Sequence, residues 1–281
     1  MQRSQHNVTV YGDQDFLTLE EGTWYVHSVF EHTFNLTNQQ QTTLVIVTGD
    51  RTKLLPGGLY LPPAEFTALQ RQIRDVQRIT FRQQTFYLET YQTCWSLKIT
   101  TTFTATLKQR PLVPQRISDF QTACCQLTQV TGFDHPFRQF LDLATTPYPK
   151  ELLWLTTPVT VQWGVDFFIG RGRGLTPSGD DLLLGWLLID ELTTQDQRLQ
   201  TAINRRIQST KYTTAVGRSY LAYGLQQKFS SALLALVAYL QGAPVTQPVT
   251  ELLAAAIHYG NTSGIDCLAG IVSALAFKPQ N

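Results

Sequence analysis

The stretch Gly170-Arg-Gly-Arg-Gly-Leu-Thr-Pro-Ser-Gly-Asp-Asp-Leu-Leu-Leu-Gly185 decides how the second half of this chain folds. Its first half is rich in glycine and polar residues, and its second half is an apolar run that favours a buried helix. The amides at a helix start lack partners within the helix, and the helix dipole favours negative charge there. We therefore predict that this loop binds an anionic small molecule or phosphate.

A second copy of the pattern occurs near the end of the chain. Residues 176–185 align without a gap on residues 261–270, and an apolar run follows each copy. The coinciding pairs are Ser178/Ser263, Gly179/Gly264, Asp181/Asp266 and Gly185/Gly270. A glycine inside a helix costs roughly 1 kcal/mol relative to alanine, so a close helix crossing is expected to offset it. We predict that the two helices cross at Gly185 and Gly270 and bring both helix starts toward one pocket.

Helix capping is a structural alternative for these motifs. Ser178-x-x-Asp181 and Ser263-x-x-Asp266 both resemble a capping box with Asp in place of Glu or Gln. The first copy also carries alternating glycines and two arginines, which a cap does not need. Capping therefore stays open for the second copy, and binding is favoured for the first.

Three well-known motifs are absent from the loop. Gly170, Gly172 and Gly174 alternate, but no register completes the G-x-G-x-x-G of dinucleotide-binding loops. Asp180-Asp181 stand where a P-loop has Lys-Ser/Thr. Ser178 lacks the preceding glycine of the G-x-S-x-G elbow, which disfavours a serine nucleophile.

The loop instead combines cationic donors with acids. Arg171 and Arg173 can hold a carboxylate or phosphate with two hydrogen bonds. Asp180 and Asp181 would repel that anion unless they bind Mg²⁺, position water or orient the arginines. Neighbouring helix side chains point about 100° apart, so one aspartate is expected to face the pocket while the other caps or pairs.

The candidate site residues follow from these roles. The candidate catalytic residues are Asp180, Asp181, Arg173 and Ser178, and any metal would be held by the two aspartates. The candidate anion-binding residues are Gly170, Arg171, Gly172, Gly174, Thr176, Gly179, Asn261, Thr262, Ser263, Gly264 and Asp266. Weaker candidates are His27, Ser28, Asn35, Lys211, Thr213, Thr214 and His258, for which structural or capping roles are expected. The pattern identifies no cofactor with certainty, and it would allow Mg²⁺ at the two aspartates.

Composition limits the class of protein. The 281 residues carry a formal net charge of +1 and are 43% hydrophobic, with no concentrated basic run, which argues against nucleic acid as a partner. No apolar stretch is long enough for a bilayer span, and the N-terminus lacks an apolar signal core. The four cysteines show no C-x-x-C spacing. We expect a cytoplasmic protein with no membrane partner.

The order of the predicted elements indicates an α+β fold. A mainly β domain, sheet or barrel-like, is expected over residues 1–115, and a helical, bundle-like domain carrying the loop over residues 116–281. The predicted strands are Val8–Tyr11, Thr23–Leu36, Thr43–Thr48, Gly58–Leu61, Thr85–Glu89 and Cys94–Leu107, with a short helix near Pro63–Asp75. The predicted later elements are helices from Ser118 to Val130 and Asp134 to Leu143, a β-like segment Pro158–Ile169, and helices near 178–194, 196–209, 213–227, 230–242, 247–259 and 263–277.

The string G-x-G-x-G-L-T-P-S-G-D-D-x-x-x-G, with the later Gly260–Gly270 motif, resembles the AllH-like family. The early residues His27-Ser-Val-Phe, Asn35-Leu36 and Pro56-Gly57 are also similar to that family's N-terminal region. The motif positions carry over only as the family's shared signature. Tyr259-Gly260-Asn261 departs from the histidine-containing variants expected there, which disfavours a histidine role at this place.

The resemblance implies a function in anaerobic allantoin breakdown. It implies a subunit of an oxamate carbamoyltransferase, which exchanges oxalurate and phosphate for oxamate and carbamoyl phosphate. It also implies two partner subunits, one FdrA-like and one from a second uncharacterised family. The alternatives are a noncatalytic anion-binding or assembly subunit and a stand-alone metal-dependent hydrolase. All four molecules in the implied reaction are small anions, which suits cationic and amide donors.

Overall fold

A computed structural model describes residues 3–194, 196–244, 246–258 and 260–277. The chain divides into two compact units, Met1–Ala105 and Thr106–Asn281. The observed architecture is α+β, with a β-rich first unit and a helical second unit. The stretch near residue 115, where the boundary was expected, lies in the first helix of the second unit.

The first unit is a closed eight-stranded barrel. Its strand order is β1-β5-β4-β3-β2-β6-β7-β8, and the parallel β1–β8 pair closes it. The strands are β1 (Ser4–Asp13), β2 (Gly22–Val29), β3 (Thr33–Asn38), β4 (Leu44–Thr48), β5 (Gly58–Tyr60), β6 (Arg78–Arg82), β7 (Thr85–Glu89) and β8 (Thr93–Phe103). The expected mainly β, barrel-like region is thus confirmed.

Alternating side chains fill the interior of the barrel. Along β8, Trp95, Leu97 and Ile99 are buried, and Trp24 of β2 packs edge-on against Phe86 of β7. Helix α1 (Pro63–Gln72) lies in this unit and continues as a 3-10 turn to Asp75, as predicted. Strand β6 was not predicted, because its two arginines interrupt the apolar pattern.

The second unit is built from helices around one large apolar core. These helices are α2 (Pro114–Cys124), α3 (Pro149–Trp154), α4 (Val161–Phe168), α5 (Ser178–Thr193), α6 (Arg198–Ile207), α7 (Ala215–Leu225), α8 (Ser231–Leu240), α9 (Val249–Ile257) and α10 (Ser263–Phe277). Helices α5 and α10 are buried on every face over most of their length. The predicted helices from residue 178 onward agree with α5–α10 to within a few residues.

The predictions between the barrel and the glycine loop needed correction. The β-like segment Pro158–Ile169 is wrong, because it contains helix α4, whose buried residues Val161, Val165 and Phe168 follow helical spacing. The helix predicted from Ser118 to Val130 begins at Pro114 and ends at Cys124. The helix predicted from Asp134 to Leu143 is only a 3-10 turn, Phe137–Leu141.

Candidate functional site

Helices α5 and α10 cross at two glycines. A Cβ atom added to Gly185 would lie 2.0 Å from the carbonyl oxygen of Cys267. One added to Gly270 would lie 2.1 Å from the carbonyl oxygen of Leu182. Because a real side chain never comes so close to a backbone atom, only glycine permits this approach. The predicted crossing is confirmed.

The crossing brings the two helix starts together, and each aspartate interacts with a serine of the other helix. The Ser263 hydroxyl lies near enough to the Asp181 carboxyl to lower its pKa, and the Ser178 hydroxyl acts in the same way on the pKa of Asp266. Thr176 Oγ1 lies 2.7 Å from Ser263 Oγ. We call residues 176–181 and 261–266 the paired helix starts.

The repeat extends to the helices that precede α5 and α10. A Cβ atom on Gly179 would lie 1.9 Å from the carbonyl oxygen of Phe168, the last residue of α4. A Cβ atom on Gly264 would lie 2.0 Å from the carbonyl oxygen of Ala256 near the end of α9. The repeated unit is therefore helix, loop and helix, although the sequence comparison found only the second helix of each copy.

Gly132, which sequence reasoning missed, belongs to the same cluster. Its N–H donates to Asp266 Oδ1 over 2.8 Å. A Cβ atom there would lie 2.1 Å from Ser178 Oγ, 2.7 Å from Thr262 Oγ1 and 2.8 Å from Asp266 Oδ2. A turn signal around Gly132 is visible in the sequence, but nothing local connects it to a residue 134 positions away.

Asp180 holds the glycine loop in place. Its Oδ1 accepts the Gly170 N–H at 2.7 Å, and its Oδ2 accepts the hydroxyl of Thr213, just before α7. Gly217 of α7 packs so closely that a Cβ atom would lie 2.1 Å from Asp180 Oδ2. Asp180 therefore pairs, whereas Asp181 points to the other helix start, which agrees with the expected division between neighbouring side chains.

The glycine loop needs its glycines for conformation as well as space. Gly170 and Gly172 have φ angles of +70° and +120°, which side-chain-bearing residues rarely adopt. A Cβ atom on Gly170 would lie 1.9 Å from the Tyr212 carbonyl oxygen, and one on Gly172 would lie 2.6 Å from the Ser178 nitrogen. The loop thus folds back over the start of α5.

The amide N–H groups at the start of α5 are hydrogen-bonded to backbone carbonyl groups of the loop. The Gly179 N–H donates to the Arg171 carbonyl at 2.8 Å, and the Asp180 and Asp181 N–H groups donate to the Pro177 carbonyl at 2.9 and 3.2 Å. Pro177 is the N-cap residue, and no side chain caps the helix. The capping-box interpretation of Ser178 is therefore wrong, and an anion would have to use donors other than these three amides.

The two arginines have different surroundings. Arg171 stacks on Phe167, with its guanidinium carbon 3.8 Å from the ring centroid, and its Nε donates to the Phe167 carbonyl at 2.9 Å. Arg173 is exposed, and no hydrogen bond or ion pair to it is found within the described ranges. Of the two loop arginines, Arg173 is therefore the one whose guanidinium can bind a ligand without breaking a described contact.

Burial raises the pKa of all three aspartate carboxyls. Desolvation raises the pKa of Asp180 to about 6, although the hydrogen bonds from Thr213 and Gly170 act to lower it. Desolvation also raises the pKa of Asp181 well above its usual range, and the carboxyls of Asp266 and Asp180 add to the effect. The pKa of Asp266 is raised by burial, while the Gly132 amide and nearby hydroxyls lower it. Burial therefore favours the protonated form of Asp181 over its charged form.

Asp181 and Asp266 each retain an unsatisfied oxygen. Their exposures are 3% and 0%, yet Oδ2 of both has no hydrogen-bond partner of ordinary geometry among the described residues. The hydroxyls near Asp266 face its carboxyl without completing such a bond to Oδ2. Buried polar atoms are nearly always paired, so two orphaned oxygens in one cluster mark an unusual place.

A metal centre finds little support here. In the described part of the chain, no group of three or more His, Cys, Asp and Glu side chains is arranged to hold an ion. The expected Mg²⁺ ligands Asp180 and Asp181 also point to different partners.

The weaker candidates are dispersed. Thr214 caps α7 by accepting the Gly217 N–H at 2.9 Å, and Thr213 binds Asp180. In the barrel, Ser28 Oγ lies 3.1 Å from His27 Nδ1 and accepts from Asn35 Nδ2 at 3.0 Å. The exposed His258 places Nδ1 2.6 Å from the Ala254 carbonyl oxygen, so it bonds within its own helix end.

The remaining candidate residues lie just before α10 and α7. Asn261 is exposed, Thr262 faces Asp266, and Lys211 is exposed ahead of α7. Tyr259 lies outside the described residues.

In the described chain, no helix is both long and apolar enough to cross a membrane.

Two family models match this chain, one within each of the units described above. The model described as oxamate carbamoyltransferase subunit AllH matches residues 168–275. The model of the AllH family N-terminal domain matches residues 8–104. The chain belongs to the AllH family. The first AllH match contains both paired helix starts, and the second contains most of the barrel. No solved structure matches the chain.

Proposed function

We propose that this chain is the subunit of a carbamoyltransferase that exchanges oxalurate and phosphate for oxamate and carbamoyl phosphate. The paired helix starts contribute to its active site, and the glycine loop binds the anionic reactant. The observation that carries the proposal is the glycine crossing, which brings the two helix starts together so that Asp181 lies near Ser263 and Asp266 near Ser178. These residues lie inside the region matched by the family model that is named for this enzyme.

The reaction requires one proton to reach a poor leaving group. A phosphate oxygen attacks the carbamoyl carbon of oxalurate, and the bond from that carbon to the oxamate nitrogen breaks. The nitrogen takes up one proton and leaves as the amide of oxamate. The proton released by the attacking phosphate restores the acid, so that atoms and charge balance. An acid near the breaking bond typically accelerates such a step about 10²–10⁴-fold.

Asp181 fits the role of this acid. Burial raises its pKa well above the usual range, the carboxyls of Asp266 and Asp180 add to this effect, and its Oδ2 has no hydrogen-bond partner among the described residues. Asp180 differs, since both of its oxygens hold the loop and the start of α7. We assign Asp181 to proton transfer and Asp180 to positioning.

Arg173 fits the role of the anion-binding cation. Its exposed guanidinium is free to form paired hydrogen bonds to phosphate, whereas Arg171 is held on Phe167. The Ser178 and Thr176 hydroxyls lie beside the same helix start. Together these groups would stabilise charge that develops on the phosphate and carbonyl oxygens.

The assembly and its place in the cell are part of the proposal. We propose that the chain works with an FdrA-like subunit and a second family-specific subunit, in the cytoplasm, during allantoin breakdown. All four cysteines are free, which suits a reducing compartment.

Reconstitution with those two subunits tests the function. Phosphate-dependent loss of oxalurate is measured for the native chain, Asp181→Ala and Arg173→Ala. Asp142→Asn is the control, because Asp142 is exposed and its carboxylate accepts the Ala144 N–H two residues along the chain. The proposal predicts loss of activity in the first two variants and none in the control. Full activity in both would rule it out.

A noncatalytic binding or assembly role is the second candidate. It is favoured by the start of α5, where three amides are already bonded to the protein backbone and leave fewer donors for a substrate. Isothermal titration of the isolated chain and of the reconstituted complex separates the two functions. Tight oxamate binding without turnover in the complete complex would support the second candidate.

A further inference from the structure

The Asp266 carboxyl is the most enclosed acid of the paired helix starts, and only one of its oxygens is satisfied. Asp266 is fully buried, and its Oδ1 accepts the Gly132 N–H over 2.8 Å. Its Oδ2 has no hydrogen-bond partner of ordinary geometry within the described ranges. A buried acceptor in this state lacks a donor, which a ligand can supply.

We infer that Asp266 Oδ2 recognises the uncharged nitrogen end of the substrate by accepting a hydrogen bond from a primary amide or ureido N–H. The inference rests on the proposed function and deepens it, because it assigns the specificity for nitrogen over oxygen to one residue. Asp266 is then a specificity-determining residue, separate from the proton-transfer role of Asp181 and the anion-binding role of Arg173.

The chemistry of the cluster excludes a second anion at this oxygen. A carboxylate or phosphate group brings only acceptors and negative charge, which Asp266 would repel. Burial raises the pKa of this carboxyl, and the nearby hydroxyls of Ser178 and Thr262 act to lower it. A neutral N–H group is the complementary partner, and amide nitrogen supplies two such donors.

Gly132 covers this carboxyl with main chain only. A Cβ atom on Gly132 would lie 2.8 Å from Asp266 Oδ2, and Gly132 is itself half-buried. Only glycine fits at this place, since any side chain would collide with three polar atoms of the cluster.

Oxamate and oxalate provide a matched pair of probes. The two molecules have nearly the same shape, and oxamate carries an NH₂ group where oxalate carries a carboxylate oxygen. Sites built to hydrogen-bond a donor reject an analogue that lacks it by large factors, up to about 10⁴–10⁵. We expect the full-length chain to bind oxamate on the order of 100-fold more tightly than oxalate or inorganic phosphate.

The test is isothermal titration of oxamate and oxalate into the native chain, Asp266→Asn and the control Asp142→Asn, each alone and with the partner subunits. Asp266→Asn is expected to reduce the preference for oxamate below about tenfold, because it replaces an acceptor with an amide that can also donate. The control Asp142→Asn is expected to keep the full preference for oxamate. Circular dichroism melting establishes that each variant is folded.

A second variant protects the result against misfolding. Asp266→Ala removes the acceptor without introducing an amide or a larger side chain, so it is also expected to lose the preference for oxamate. An unchanged preference in folded Asp266→Asn, or no preference in the native chain, overturns the inference. If the complex cleaves oxalurate while Asp266→Asn keeps its selectivity, only this inference fails. If the preference depends on Asp266 but no carbamoyl transfer occurs, only the proposed function fails.

Discussion

Gly185 of α5 and Gly270 of α10 are related by a local two-fold arrangement, because each faces the backbone carbonyl of the residue three positions before the other. Gly185 faces Cys267, and Gly270 faces Leu182. The two helices are therefore equivalent at their crossing as well as at their starts. This close contact fixes the distance at which Asp181 and Asp266 meet the opposite serines.

A side chain at either crossing glycine is expected to destabilise the helical unit. Gly185→Ala or Gly270→Ala would place a methyl group within 2.0–2.1 Å of a carbonyl oxygen, so the helices must separate. Overpacking of this kind costs about 1–3 kcal/mol, and more where backbone atoms collide. Denaturant unfolding measures the loss of free energy. Gly22→Ala serves as the control, since a Cβ there meets nothing within 4 Å, and an equal effect at Gly22 would refute the crossing argument.

The stability of the chain is expected to depend on pH through Asp180. Its pKa is raised by burial to about 6 in the folded state, above the ordinary value of 3.8. A raised carboxyl pKa gives stability that is complete below about pH 4 and is lost as the pH rises through 6. The loss from this group is roughly 3 kcal/mol between those limits.

Asp180→Asn isolates that contribution. Asparagine does not titrate, so the variant should lack this part of the pH dependence, and the difference between the two unfolding free energies should change between pH 4 and pH 7. Denaturant titrations at several pH values supply the difference. A constant difference across this range would show that Asp180 ionises as freely in the folded chain as in the unfolded chain.

The two loop arginines are expected to respond differently to truncation. Arg173→Ala should raise the KM for phosphate about tenfold or more while leaving stability within about 0.5 kcal/mol, because the exposed side chain has no described partner. Arg171→Ala should mainly destabilise, since it removes the stacking on Phe167 and the bond to its carbonyl. Steady-state kinetics with the partner subunits and thermal melting measure both effects. The opposite pattern would indicate that Arg171, and not Arg173, binds the anion.

The repeat was predictable from sequence because its identities lie at fixed spacing. Ser178, Asp181 and Gly185 recur as Ser263, Asp266 and Gly270, and glycine inside an apolar helix has few explanations other than close packing. The barrel was predictable for a similar reason, since short β-type runs alternate with turn signals.

Contacts between distant segments could not be predicted in this way. The bond from Gly132 to Asp266 and that from Thr213 to Asp180 join residues without any local pattern. The amides of α5 were expected to be open, but positive φ angles at Gly170 and Gly172 turn the loop back so that the Arg171 carbonyl reaches Gly179. Helix α4 was misread because Val161, Trp163 and Val165 have high strand propensity, whereas burial along one helical face decided its structure.

Carbamoyl phosphate formation tests the central claim most directly. Phosphorus NMR follows the conversion of inorganic phosphate to carbamoyl phosphate when oxalurate is added to the reconstituted complex. The native chain and Asp142→Asn should give the carbamoyl phosphate resonance at equal rates, and Asp181→Asn should lower kcat by about 10²–10⁴-fold with little change in KM. Carbamoyl phosphate formed at the native rate by a complex containing Asp181→Asn would contradict the account.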